Sequence, residues 1–146
     1  MKLYYSPAAC SLSPHIVARE AGIPIELVKV DLKAHTLADG TAYTTVNPKG
    51  SVPLLELDDG DRLSEGPAIV QYLADRNPAA GLAPAAGTMA RYRLQEWLNF
   101  ITSELHKQYS PLFDTAVPAE YRDAVRSRLA KRFDWLSTRL AQQDYL

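Results

Sequence analysis

Residues 47–75 read NPKGSVPLLELDDGDRLSEGPAIVQYLAD, and the order of elements within them decides the fold. Val52-Pro53 leads into the apolar run Leu54 to Leu57, Asp58 to Asp61 form a turn, and Arg62-Leu63 returns the chain. That pattern is a β-hairpin. Ser64 then stands as the cap of a helix with Pro67 in its first turn and Ile69, Val70, Tyr72 and Leu73 on its apolar face.

Upstream of the hairpin, Lys2–Tyr5 is a short strand, and Ser13-Pro14 caps and opens a helix that Gly22 and Pro24 stop. Ile25–Asp31 alternates apolar with polar, the signature of a strand. The stretch 32–46 reads as loop with one irregular helical turn. The order is βαβ followed by ββα. A strand–helix–strand crossover makes its two strands parallel, and the hairpin adds an antiparallel edge. The result is a thioredoxin-like α/β domain.

Downstream the grammar changes. All seven glycines lie at or before Gly87, and eight of ten prolines at or before Pro84. Residues 1–80 carry net charge -3 and residues 81–146 carry +2. Residues 78–87 therefore read as a linker between a thioredoxin-like domain, 1–77, and an all-α domain, 88–146. Leu94, Leu98, Ile101, Leu105 and Leu112 follow one stripe and predict a single continuous helix. From about Pro118 a second helix carries Tyr121, Val125, Leu129, Phe133, Leu136 and Leu140 at the same spacing. That second stripe needs a partner, and each apolar side chain left in water forgoes about 1.5–3 kcal/mol. The expectation is an incomplete helical domain, its first two helices in a fragment or a truncated relative.

Composition narrows the function classes. The 146 residues are 47% hydrophobic and 23% charged, with net charge -1, as in ordinary globular chains. Nucleic-acid binding would need a local basic patch. No apolar run approaches the roughly 20 residues of a membrane span, so no membrane partner is expected. A lone cysteine suits a reducing compartment, which places the chain in the cytoplasm.

Four features could carry chemistry. Cys10 lies between the first strand and a helix start, where N–H groups and the helix dipole favour a thiolate; the bland alternative is an inert buried cysteine. Val52-Pro53 is either a cis bond presenting backbone to an extended peptide or an ordinary trans strand start. Ser64-Glu65-Gly66 is either plain capping or a seat for an α-amino-acid head group, the carboxylate on helix N–H groups and the ammonium on Glu65. Asn99, Ser103 and His106, with Lys107 beside them, share one face of an ideal helix; they are either ligand contacts or a solvated surface. His15 and His35 have no carboxylate pattern around them, and no metal site is expected.

The motifs MKLYYSPAACSLSPHIVARE, NPKGSVPLLELDDGDRLSEGPAIVQYLAD and EWLNFITSELHKQYSPLF resemble the bacterial beta-class cytosolic glutathione transferases over most of the chain. The resemblance implies an enzyme that holds the glutathione sulfur at Cys10, where other classes use tyrosine or serine. It implies that Val52 bonds the cysteinyl backbone and that Glu65 and Gly66 hold the γ-glutamyl head group. It places Asn99, Ser103, Glu104, His106 and Lys107 around glutathione from the helical domain, some reaching the partner's ligand in a homodimer. His106 would stabilise the site rather than abstract a proton. Two positions depart from the family pattern. His35 replaces a lysine that approaches the glycyl carboxylate, for which Lys33 could substitute, and Gly66 stands where serine is frequent. Family members also continue past Leu146 with more helices.

The function expected is conjugation of glutathione to apolar electrophiles, with glutathione as co-substrate, alongside glutathione-dependent disulfide or peroxide reduction. Two alternatives stay open: a glutathione-binding or dimerisation module without turnover, and a glutaredoxin-like thiol–disulfide reductase.

Overall fold

Strand β1 (Lys2–Tyr5) is paired along both edges, and the rest of its unit is built outward from it. On one side lies β2 (Glu26–Asp31), parallel, with Leu3 opposite Leu27 and Tyr4 opposite Val28. On the other lies β4 (Leu54–Glu56), antiparallel, with Leu3 opposite Leu55 and Tyr4 opposite Leu54. Outer strands β3 (Thr36–Leu37) and β5 (Arg62–Ser64) complete the order β3-β2-β1-β4-β5. The computed structural model describes residues 1–146 in two compact units, Met1–Thr88 and Met89–Leu146.

Side chains alternate across the sheet, so β1 feeds two cores. Leu55, opposite Leu3, packs with Ala18 of helix α1 (Leu12–Glu20) and with Ile69 and Leu73 of helix α2 (Gly66–Arg76). The opposite face joins Tyr4, Val30, Tyr43, Val52 and Leu54, with Tyr4 and Tyr43 ring centroids 5.7 Å apart. No α-helix of the first unit packs on this second face. The stretch read as loop plus a helical turn does so, with β3 and a 3-10 turn at Tyr43–Thr45.

Two helix starts differ from the sequence expectation. α1 begins at Leu12, so Ser13 lies inside its first turn instead of capping it before Pro14, and the hydroxyl of the preceding Ser11 turns back to Ser6 without capping the helix. Ser64 ends β5, so Glu65, at φ 73, takes the N-cap position of α2. The α1 stop is as expected. Gly22 adopts φ 65, and Gly22 N donates to Arg19 O while Ile23 N donates to Ala18 O, a Schellman closure that needs a left-handed residue.

In the second unit the predicted continuous helix is interrupted. α3 (Met89–Phe100) widens into a π-helical segment at Ile101–Leu105, tightens into a 3-10 turn at His106–Tyr109, and resumes as α4 (Ser110–Phe113). The leucine stripe has the right period, but Thr102 and Ser103 hydroxyls donate to the carbonyls of Leu98 and Asn99 within this altered turn. α5 (Ala119–Leu140) starts where expected and buries Val125, Leu129 and Leu136. Trp97, Phe100 and Trp135 form an aromatic cluster with centroids 5.2–5.9 Å apart.

One ionic hub ties the sheet together. Glu56 accepts from Lys2 Nζ at 3.3 Å, Tyr4 OH at 3.3 Å and Arg62 Nε at 2.9 Å, and Arg62 also donates to Val46 O. Burial alone would push the Glu56 carboxyl up, but the Arg62 and Lys2 bonds outweigh it and hold it below the usual range. Glu56→Ala leaves the buried Tyr4 hydroxyl without its acceptor, and is expected to cost about 1–3 kcal/mol in denaturant unfolding. A depressed folded pKa also fixes the pH sense. The Glu56 contribution is complete above the ordinary glutamate range and is lost as pH falls beneath it, so the wild-type and variant unfolding midpoints should converge in acid.

Candidate functional site

The strand register brings four loops to one end of the sheet. β1 and β2 are parallel, so the loops after Tyr5 and after Asp31 leave at the same end. β4 starts there too, because Tyr4 pairs with Leu54, and β5 finishes there, because Leu54 pairs with Ser64. Cys10, His35, Val52 and Glu65 lie on or beside these four loops.

Cys10 sits in a tight loop anchored by Ser11, whose buried Oγ accepts from Ser6 N and donates to Ser6 O, both at 3.2 Å. Its residue surface is exposed, yet Sγ is turned to the protein and donates to Val52 O at 3.4 Å. The Val52-Pro53 bond is cis, the first of the two alternatives the sequence left open. The electrostatic expectation for Cys10 is overturned. Desolvation pushes the thiol up and outweighs the Cys10 backbone N–H that opposes it; the charge of Glu65 adds a smaller rise, and the Ser11 N–H a smaller opposition. The position before a helix does not win here, because the sulfur is partly withdrawn from water.

Glu65 and Gly66 open α2. Glu65 O accepts from Ala68 N and Ile69 N, and its side chain makes no capping bond. Pro67 has no N–H, so Gly66 N remains a donor of the first turn without an intrahelical acceptor. The Glu65 carboxylate is held instead by Lys49, whose Nζ donates to Oε1 at 2.9 Å and to Ser64 Oγ at 3.0 Å. His35, at φ 55, lays its ring over Gly50: a Cβ on Gly50 would meet His35 Nδ1 at 3.2 Å. Lys33 is fixed at its backbone by Asp31 Oδ1, which accepts from Lys33 N and Ala34 N.

The second unit holds the other predicted residues, on three differently wound segments. Asn99 lies in α3, Ser103 and Glu104 in the π-helical segment, and His106 and Lys107 in the 3-10 turn. A wider turn followed by a narrower one breaks the 4-and-3 spacing, so the shared-face argument from an ideal helix does not hold. Asn99, Ser103, His106 and Lys107 are exposed. Glu104 is engaged elsewhere, its Oε2 accepting from Arg132 Nε and Nη2 at 3.1 and 2.8 Å.

Lys49 and Ser11 escaped the sequence reading. The hairpin itself signalled Lys49: residues just before β4 lie beside those just after β5, which brings Lys49 to Glu65. Ser11 carried no signal, since a serine before a helix reads as a cap and its bond to Ser6 depends on the loop.

Residues 8–76 match the N-terminal domain of glutathione S-transferases. The chain is 47% identical to glutathione S-transferase GstA of Escherichia coli O157:H7, over all of this chain and 73% of that protein. A sphingomonad glutathione S-transferase complexed with glutathione superimposes with a TM-score of 0.95 at 48% identity, covering 100% of this chain and 73% of that one. A bacterial beta-class enzyme of Sphingomonas chungbukensis does so at 0.94 and 44%, covering 99% and 72%. Sequence match, fold and the cysteine at the cis-proline agree, and the chain belongs to the glutathione S-transferase family, in its bacterial beta class.

Proposed function

We propose that the first unit binds glutathione with its sulfur at Cys10, its cysteinyl backbone on Val52 and its γ-glutamyl head group at Glu65 and Gly66. The chain acts as a glutathione transferase, passing that thiol to apolar electrophiles. The observation that carries this reading is the meeting of Cys10 Sγ with Val52 O at one end of the sheet that also ends in the open first turn of α2. A zwitterionic head group needs an acceptor for its ammonium and N–H donors for its carboxylate, and Glu65 with Gly66 N supplies both.

In the transfer, the glutathione thiolate attacks an electrophilic carbon, the C–S bond forms, and the leaving group departs with its bonding pair. The thiol proton goes to solvent. Cys10, raised by desolvation and so a thiol at neutral pH, is suited to turn its one proton from Val52 O to the incoming sulfur when the cysteinyl backbone takes up Val52. That state disfavours Cys10 as the leading nucleophile, so thiol–disulfide exchange is the secondary reaction. There, the Cys10 thiolate attacks glutathione disulfide, a mixed disulfide forms, and glutathione leaves as its thiolate. Asn99, Ser103, Glu104, His106 and Lys107 are carried over on family resemblance as further glutathione contacts, and His35 toward the glycyl end. A cytoplasmic homodimer is the expected form.

Three experiments test this. The protein should be retained on immobilised glutathione and should turn over a chloroaromatic electrophile; retention without turnover would make it a binding module. Cys10→Ala should lose the glutathione adduct seen by intact mass after exposure to glutathione disulfide, and an adduct that persists would refute the assignment. Thirdly, Cys10 is the only cysteine, so alkylation by iodoacetamide reports on it alone. Its pH–rate midpoint should lie above that of an ordinary thiol and should fall in Glu65→Gln, because a carboxylate that opposes the thiolate has gone. An unchanged or higher midpoint would sink that account.

A further inference from the structure

Lys49 stands on a turn with little freedom. Asn47 is buried; its Nδ2 donates to Ser51 O at 2.8 Å, and its Oδ1 accepts from Lys49 N at 3.2 Å. Gly50 N donates to Asn47 O at 2.8 Å, and Gly50 takes φ 64 under the His35 ring. Tyr43 OH donates to the same Ser51 carbonyl at 3.0 Å. This turn runs straight into Val52, while the Lys49 side chain reaches the other wall, Ser64 and Glu65. Glu65 has a left-handed backbone and no capping bond, so its exposed carboxylate owes its orientation to Lys49. Lys49 occupies Oε1 and leaves Oε2.

We propose that Lys49 is a positioning residue for the ammonium end of glutathione: it fixes the Glu65 carboxylate through Oε1 so that Oε2 accepts from the α-ammonium. The inference rests on Glu65 and Gly66 being the head-group seat. Without Lys49, a long and largely exposed side chain regains its rotamers, and each binding event must order it again. The ion pair is itself exposed on both sides, 58% and 65%, and adds little to folding, so its loss should leave the thermal midpoint nearly unchanged. The opposite role is also testable. A lysine that merely competed with the ligand ammonium for Glu65 would weaken binding, and removing it would tighten it.

The test uses the whole protein and two ligands that cannot exchange disulfides: S-methylglutathione, and its analogue with glutaryl in place of γ-glutamyl, which lacks the α-ammonium. Calorimetry gives the ratio of the two dissociation constants. Lys49→Met should reduce the preference for the ammonium-bearing ligand by roughly two- to fivefold, the scale of an exposed ion pair. Lys49→Arg, which keeps a donor for Oε1, should restore it. An unchanged ratio in Lys49→Met, or a raised one, overturns the proposal. Glu65→Gln separates the two levels. If it abolishes the preference while Lys49→Met does not, only the role of Lys49 falls; if it leaves the preference intact, the head-group assignment falls as well.

Discussion

The whole first unit depends on β1 having no free edge. Four residues cannot hold a sheet by their own burial, but both backbone edges of Lys2–Tyr5 are paired, and Leu3 and Tyr4 point to opposite cores. A strand in that position sets the register of its neighbours, since a slip of one residue would move Leu3 to the face of Tyr4. Helices α1 and α2 cover one face, and the Tyr43 turn covers the other.

The site follows from that register. Parallel pairing on one side and antiparallel pairing on the other place the end of β1, the end of β2, the start of β4 and the end of β5 together. No single loop is long. Each contributes one or two groups whose direction is fixed by backbone bonds nearby: Cys10 by the Ser6–Ser11 clasp, Val52 by the Asn47 turn, Glu65 by its place between β5 and α2.

Much of this was legible because local rules and the global fold agreed. The hairpin at 54–64, the glycine stop of α1 and the start of α5 rest on turn chemistry and periodicity, which tertiary packing did not override. The misses have a common cause. Ser13 and Ser64 look like caps, yet Ser13 already lies in the first turn of α1, and Ser64 is taken by the β4–β5 ladder. The continuous leucine stripe of 94–112 could not show the π-helical turn, since a stripe records which residues are apolar and not how many backbone bonds each turn spans. With that turn went the expected alignment of Asn99, Ser103 and His106.

Cys10 shows most clearly where sequence position and physical environment part. Its place before a helix argues for a thiolate, but a dipole acts on a charge only as strongly as the surroundings allow that charge to form. Here desolvation of Sγ pushes the thiol up beyond what the Cys10 backbone N–H recovers, and the Glu65 carboxylate opposes a second negative charge. The carboxylate proposed for the ligand ammonium thus also adds, after desolvation, to the rise of the cysteine. Bringing an ammonium to Glu65 offsets the same negative charge that Cys10 feels. On the proposed head-group assignment, recognition and the protonation of Cys10 are linked through one side chain: an ammonium at Glu65 removes the smaller of the two influences that raise the thiol, while desolvation stays.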